Sequence, residues 1–291
     1  MSDAIKPRVP PKAAFCSILK LALITCLVLV GGNACGRENR DATLKIGLSE
    51  EPRTLNIWLA SDANSRKILT HIYQPLYRPE PVTLKLIPWL AAEHPEFDPE
   101  TISYTVKLRP AKWSDGSDIT SADVAFTARL IKDFKIPRFA SKWRFVEKIE
   151  TPDRLTVKYY LKEPTAIFLS RSLTGPIVQK REWEAVAQAA RNREKPLAAL
   201  LNHKIEKPVG SGPFILEQWR QGSYLHLKRN PHFFGQGLTI GGLKLGPYLD
   251  GLIFKIYGTS DVAVLALKKG AIDMFWQGIQ PGYLVDLCLL Y

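Results

Sequence analysis

The chain has 291 residues, 46% hydrophobic and 23% charged, the balance of an ordinary globular protein with room for a sizeable core and one to three domains. Its formal net charge is +12, of which Met1–Arg40 supplies +4, and no Lys/Arg run in the rest exceeds a pair. Dedicated nucleic-acid surfaces show a basic stripe or cluster, so no nucleic-acid partner is expected.

The elements follow in chain order. Lys6, Arg8, Lys12 and Lys20 form a positive region, and Leu21–Val30 is an uncharged apolar run. That run is well short of the ~20 apolar residues of a membrane span, so 1–35 reads as an export signal. Cys35, flanked by Ala34 and Gly36, resembles the lipobox cysteine of bacterial lipoproteins, which takes the lipid after cleavage; Gly32 and Asn33 depart from that pattern. Lipid attachment at Cys35 is expected, with a cleaved free form or an uncleaved anchor as alternatives. Cys16 and Cys26 also lie in this segment and only Cys288 lies beyond it, so neither an internal disulfide nor a CxxC zinc site is expected.

Residues 36–42 form a polar tether. Thr43–Leu48 reads as a first strand, Glu50–Asn56 as a loop and Ser65–Tyr73 as a helix. Thr101–Lys107, rich in β-branched and aromatic residues, predicts a strand. Asp115-Gly116 marks a turn, and Thr120 with Asp123 three residues on forms a capping box for a helix presenting Val124, Phe126 and Leu130. Val146–Ile149 and Leu155–Leu161 pair around Pro152-Asp153, with Leu155, Val157, Tyr159 and Leu161 alternating onto one face. Phe168–Leu173 is a short element and Glu182–Arg193 a helix. Ile215–Trp219 and Ser223–Lys228 form a hairpin around Gln221-Gly222, followed by a strand at Leu252–Tyr257 and a helix at Val262–Lys269.

Catalytic patterns are missing from this sequence. His71, His94, His203, His226 and His232 form no HxxxH pair and have no Cys neighbour, so surface or loop positions are expected and no metal site. Gly235-Gln236-Gly237 with Gly241-Gly242 lacks the spacing and the Lys-Ser/Thr of a phosphate loop, and Ser211 has no G-x-S-x-G frame. Glu50 and Glu51 are adjacent on an extended segment, point opposite ways, and cannot converge on one centre. No enzymatic activity and no cofactor are expected.

The stretch Leu108–Gly116 with Thr120–Phe126 resembles the "LR..WSDG...TA.DV.F" block of the family 5 extracellular solute-binding proteins, the receptors of ABC importers for peptides, nickel and related solutes. Glu50–Asn56 is similar to that family's "EP.TLDP", Ile72–Leu76 to "IYEPL", Pro88–Ala91 to "P.LA", Pro208–Phe214 to "P.GTGPY", Arg229–Phe234 to "RNP.YW" and Gly270–Asp273 to "G.IDM". The blocks keep the family's order from Thr43 to Trp276. The spacer from Arg109 to Trp113 is one residue short, and Asn56 stands where Asp is common.

The resemblance implies an α/β fold of the periplasmic binding protein type (class II, three-subdomain form). This chain is expected to be its first lobe only, with the second lobe missing after Tyr291. Residues 43–62 and 165–257 are expected to form subdomain Ia, 63–164 subdomain Ib, and 258–291 the hinge and the start of the lost lobe. The implied function is capture of an oligopeptide or similar small solute in the periplasm and delivery to ABC permease subunits, with the chain held at the membrane surface through the lipid on Cys35. Glu50, Trp276 and Gln277 are the implied ligand-binding residues; Gly210–Pro213 is expected to be a structural turn. Without closure of two lobes, this chain is expected to bind weakly or not at all. Two other roles stay open, a non-transport lipoprotein acting as scaffold or chaperone and a non-functional truncated product.

Overall fold

In a computed structural model, residues 42–165 and 167–276 are described; Cys35 and Gln277 lie outside them. The elements are β1 (Thr43–Leu48), α1 (Ala63–Ile72), β2 (Tyr77–Pro79), β3 (Leu86–Pro88), β4 (Glu96–Asp98), β5 (Ser103–Lys107), α2 (Ser121–Asp133), α3 (Pro137–Trp143), β6 (Val146–Asp153) and β7 (Thr156–Leu161). A single π-turn at Phe168–Ser172 leads to α4 (Lys180–Arg191), α5 (Pro196–Leu201), β8 (Phe214–Arg220), β9 (Tyr224–Arg229), β10 (Thr239–Ile240), β11 (Leu243–Lys244), β12 (Gly251–Ile256), α6 (Ser260–Lys268) and β13 (Met274–Phe275).

Two larger sheets carry the fold. One has the order β13-β1-β12-β9-β8, with β1 parallel to both β12 and β13 and the remaining pairs antiparallel. The other is an antiparallel sheet, β4-β5-β7-β6. Val157, Tyr159 and Leu161 are buried along one face of β7, as the alternation requires. Tyr159 packs edge-on against Phe168 from the π-turn, which also meets Tyr104 and Trp143. Trp89, Trp113 and Trp183 are fully buried.

Side chains set the starts of α1 and α2. The Asp62 Oδ1 accepts from Ser65 N at 2.8 Å to cap α1. At α2, Asp123 Oδ2 accepts from Thr120 N at 2.9 Å and from its hydroxyl at 3.0 Å, while Oδ1 accepts from Lys180 N at 2.8 Å and so ties in the start of α4. The hairpin turn between β8 and β9 places Gly222 at φ 70°, the region glycine tolerates best.

Asn56 explains one departure from the family pattern. Its amide nitrogen donates to the carbonyls of Leu200 (3.1 Å), Leu201 (2.9 Å) and His203 (3.1 Å), and its oxygen accepts from Trp58 N at 2.9 Å. The donors needed at the end of α5 are available from an amide and not from an ionised carboxylate.

Gly210-Ser211-Gly212 is a junction of three segments. A Cβ on Gly210 would stand 2.0 Å from the Ile72 carbonyl oxygen, and one on Gly212 2.1 Å from that of His71, so only glycine lets this backbone lie against the end of α1. Gly212 N donates to Ile72 O (2.8 Å), Ser114 N to Gly210 O (2.8 Å), and Asn230 Nδ2 to Gly212 O (2.8 Å). The expected structural turn is therefore a seam joining α1, the Asp115-Gly116 turn and the segment after β9.

Candidate functional site

Parallel strands collect their carboxyl ends on one edge, where open α/β sheets usually receive ligands. Glu50 and Trp276 follow β1 and β13 at that edge. The Glu50 side chain is exposed, and its backbone carbonyl accepts from Asn64 Nδ2 at 2.8 Å. Glu51 turns the other way: its Oε1 accepts from Trp219 Nε1 (2.9 Å) and Gly222 N (3.0 Å), fastening the loop to the β8–β9 hairpin. Trp276 is half-buried and stacks on Phe254, with ring centroids 5.2 Å apart and planes 20° apart. Lys67 Nζ stands 5.2 Å from the Trp276 ring and the His71 ring 5.8 Å from it.

His71 differs from the expected surface or loop histidine. It is packed among Phe214, Phe254 and Trp276, its Nε2 has no hydrogen-bond partner, and burial lowers its pKa to about 4, so the imidazole is neutral.

A recess of about 520 Å³ runs beside α1, lined by Arg66, Thr70 and His71 from the helix, Arg78 from β2, Arg138 from α3 and Thr174. Arg66 and Thr70, one turn apart, share a helix face. The Arg78 guanidinium lies 3.5 Å from the centre of the Trp89 ring. Trp89 Nε1 donates to Gln74 Oε1 at 2.7 Å, and Gln74 Nε2 donates to Thr70 O at 2.7 Å, so this wall is held by a closed hydrogen-bond chain. Arg138 donates to the Ala60 carbonyl; burial lowers its pKa, and repulsion from Arg66 adds to the effect.

A second recess, of about 640 Å³, lies beside the Asp115-Gly116 turn over Ala111, Leu155 and Phe234. Its Asp118 carboxylate is paired with both Lys112 (3.1 Å) and Arg154. Asp153 Oδ1 accepts from Leu155 N at 2.8 Å. Among the described residues no group of three His, Cys, Asp or Glu side chains is placed to hold a metal, and no helix is long and apolar enough to cross a membrane.

Sequence reasoning singled out Glu50 and Trp276, which stand at the sheet edge and line neither recess, and did not single out Arg66, Arg78, Arg138 or His71. These four come from three segments, Arg66 and His71 sharing α1, and their types and spacing carry no motif.

Comparison with known proteins identifies the family and the fold. The family model described as bacterial extracellular solute-binding proteins, family 5 Middle, matches residues 85–285. The oligopeptide-binding protein AppA of Bacillus subtilis is 29% identical over 248 residues, covering 83% of this chain and 42% of AppA. The crystal structure of AppA in complex with a nonapeptide superposes with a TM-score of 0.64 at 27% identity, over 79% of this chain and 43% of that one. The ABC transporter substrate-binding protein CtaP of Listeria monocytogenes superposes with a TM-score of 0.68 at 28% identity, over 85% of this chain and 46% of that one. The chain thus spans less than half the length of these relatives. It belongs to the family 5 bacterial extracellular solute-binding proteins, and its α/β fold is that of a periplasmic binding protein in part. The relatives are solute-binding proteins rather than enzymes, and the family acts outside the cytoplasm.

Proposed function

We propose that this chain is the substrate-binding component of an ABC importer, which holds an oligopeptide or similar small solute in the recess beside α1 and hands it to permease subunits. The supporting observation is the recess itself: an open space of about 520 Å³ in a family 5 chain, walled by fixed polar groups. In this reading Glu50, Trp276 and Gln277 border the solute, the chain catalyses no reaction, and the lipid on Cys35 keeps it at the periplasmic membrane surface. The division into subdomains Ia (43–62, 165–257) and Ib (63–164) belongs to the same proposal.

Intrinsic fluorescence tests the reading, because Trp276 stands beside the helix that lines the recess. Titration of the purified chain with a mixture of tripeptides is expected to give a change that is weak, in line with the weak binding expected from the sequence, but saturable, and that is lost in Trp276→Phe. A flat titration up to millimolar peptide would sink it.

A further inference from the structure

The three ionised side chains around the α1 recess, Arg66, Arg78 and Arg138, are all cationic. Lys142 follows Arg138 one turn on along α3; its pKa is lowered by burial and then by repulsion from Arg138 and Arg171. Among the described residues none of these five cations has a carboxylate within ion-pair distance. Asp62, the acid nearest Arg66 in sequence, spends Oδ1 on the cap of α1. His71 stays neutral at pH 7 and adds no charge.

Such an arrangement costs the fold free energy, since partly buried like charges repel and lack compensation. The recess beside the Asp115-Gly116 turn shows the alternative within the same molecule: there Asp118 pairs with both Lys112 and Arg154, and Asp153 supplies the second negative charge of the lining. Unfavourable charge retained in an open recess is the mark of a site whose missing partner arrives with the ligand. Guanidinium forks match the planar geometry of carboxylates and bind them with charge-assisted hydrogen bonds. One fork is already fixed, because Arg78 is stacked on Trp89.

We propose that the α1 recess selects anionic solutes and receives their carboxylate groups on Arg66, Arg78 and Arg138. The assignment rests on the reading of this recess as the solute site and names the class of solute it takes.

The experiment compares Glu-Ala-Glu, Gln-Ala-Gln and Lys-Ala-Lys by calorimetry at low salt, using the 291-residue chain and its Arg66→Gln variant. The acidic tripeptide is expected to bind about tenfold more tightly than the amide one, as charged hydrogen bonds exceed neutral ones, with the basic tripeptide weakest. Arg66→Gln is expected to erase most of that discrimination and, by relieving the repulsion with Arg138, to raise the melting temperature of the ligand-free chain. Equal affinity for the three peptides overturns the anion preference and leaves the solute-binding reading standing. Binding of none of them at millimolar concentration overturns both. Discrimination unchanged in Arg66→Gln, together with a lower melting temperature, makes Arg66 a structural residue and overturns the assignment. Inorganic phosphate displacing Glu-Ala-Glu at equal concentration overturns the choice of carboxylate.

Discussion

The recess beside α1 and the recess beside the Asp115-Gly116 turn are of similar size and differ in how they treat charge. In the second, Lys112, Asp118 and Arg154 satisfy one another, and Asp153 is held by a backbone N–H. In the first, Arg66 and Arg138 face each other without an acid, and Arg78 rests on an indole. A charge-balanced recess is finished as built. On the proposal above, an unbalanced one is complete only with something bound, and this distinction, rather than volume, singles out the α1 recess as the proposed solute site.

Four measurements break or sharpen that contrast. Asn56 anchors the segment leading to Ile57, which lines the α1 recess. Asn56→Asp turns a carboxylate toward three carbonyl oxygens and is expected to cost about 3 kcal/mol in urea unfolding. A loss below about 1 kcal/mol would mean that the amide network does not hold this wall. Gly212→Ala forces a methyl group into the His71 carbonyl at the seam between the two recesses; about 2 kcal/mol of stability is expected to go, and tripeptide affinity with it. Retained stability would show that the seam yields.

The third measurement is a pH profile. Burial raises the Glu182 pKa to about 7, with its Oε1 accepting from Val209 N at 3.0 Å just before the seam. Its neutral form favours the fold, so that contribution is full below its ordinary 4.5 and is lost as pH rises to about 7. His71 works in the opposite sense: its contribution is full above its ordinary 6.5 and is lost as pH falls to about 4. The two nearly cancel between those limits. Glu182→Gln keeps the acceptor and removes the titration, so stability is expected to rise with pH across this window by about 1.5 kcal/mol, partial solvent screening included. A flat profile in the variant would contradict the burial of His71. The smallest effect is expected at the balanced recess, where Arg154→Gln removes an exposed ion pair and shifts stability by less than about 0.5 kcal/mol. A larger shift there would erase the contrast between the two sites.

Much of the fold was legible because its signals are local. The alternation of Val157, Tyr159 and Leu161, the Thr120–Asp123 box and the Gln221-Gly222 turn each need only a few neighbouring residues, and the structure shows all three. The partners of Asn56 were not legible, since the carbonyls it serves lie 144 to 147 residues away. The α1 recess was hidden for the same reason. Arg66, Arg78 and Arg138 belong to three elements, and only packing reveals that they share a space and lack acids. His71 read as a surface or loop histidine because nothing in its neighbourhood announces Phe214, Phe254 and Trp276.

The pairing of β1 with β12 also bears on how the chain acquires its structure. Ala42 N reaches Asp250 Oδ2 across 208 positions, and β1 also borders β13 at Phe275. The first of the described strands therefore waits for the last of them. Pairing across so long a loop is a slow step, with the entropy of closing it spent before β1 joins β12. As the chain lengthens, the antiparallel β4–β7 sheet, whose partners are near in sequence, is free to form early. The larger sheet gains its last described pairing only once residue 275 is available, so β1 has its second neighbour later in synthesis than any strand of the smaller sheet.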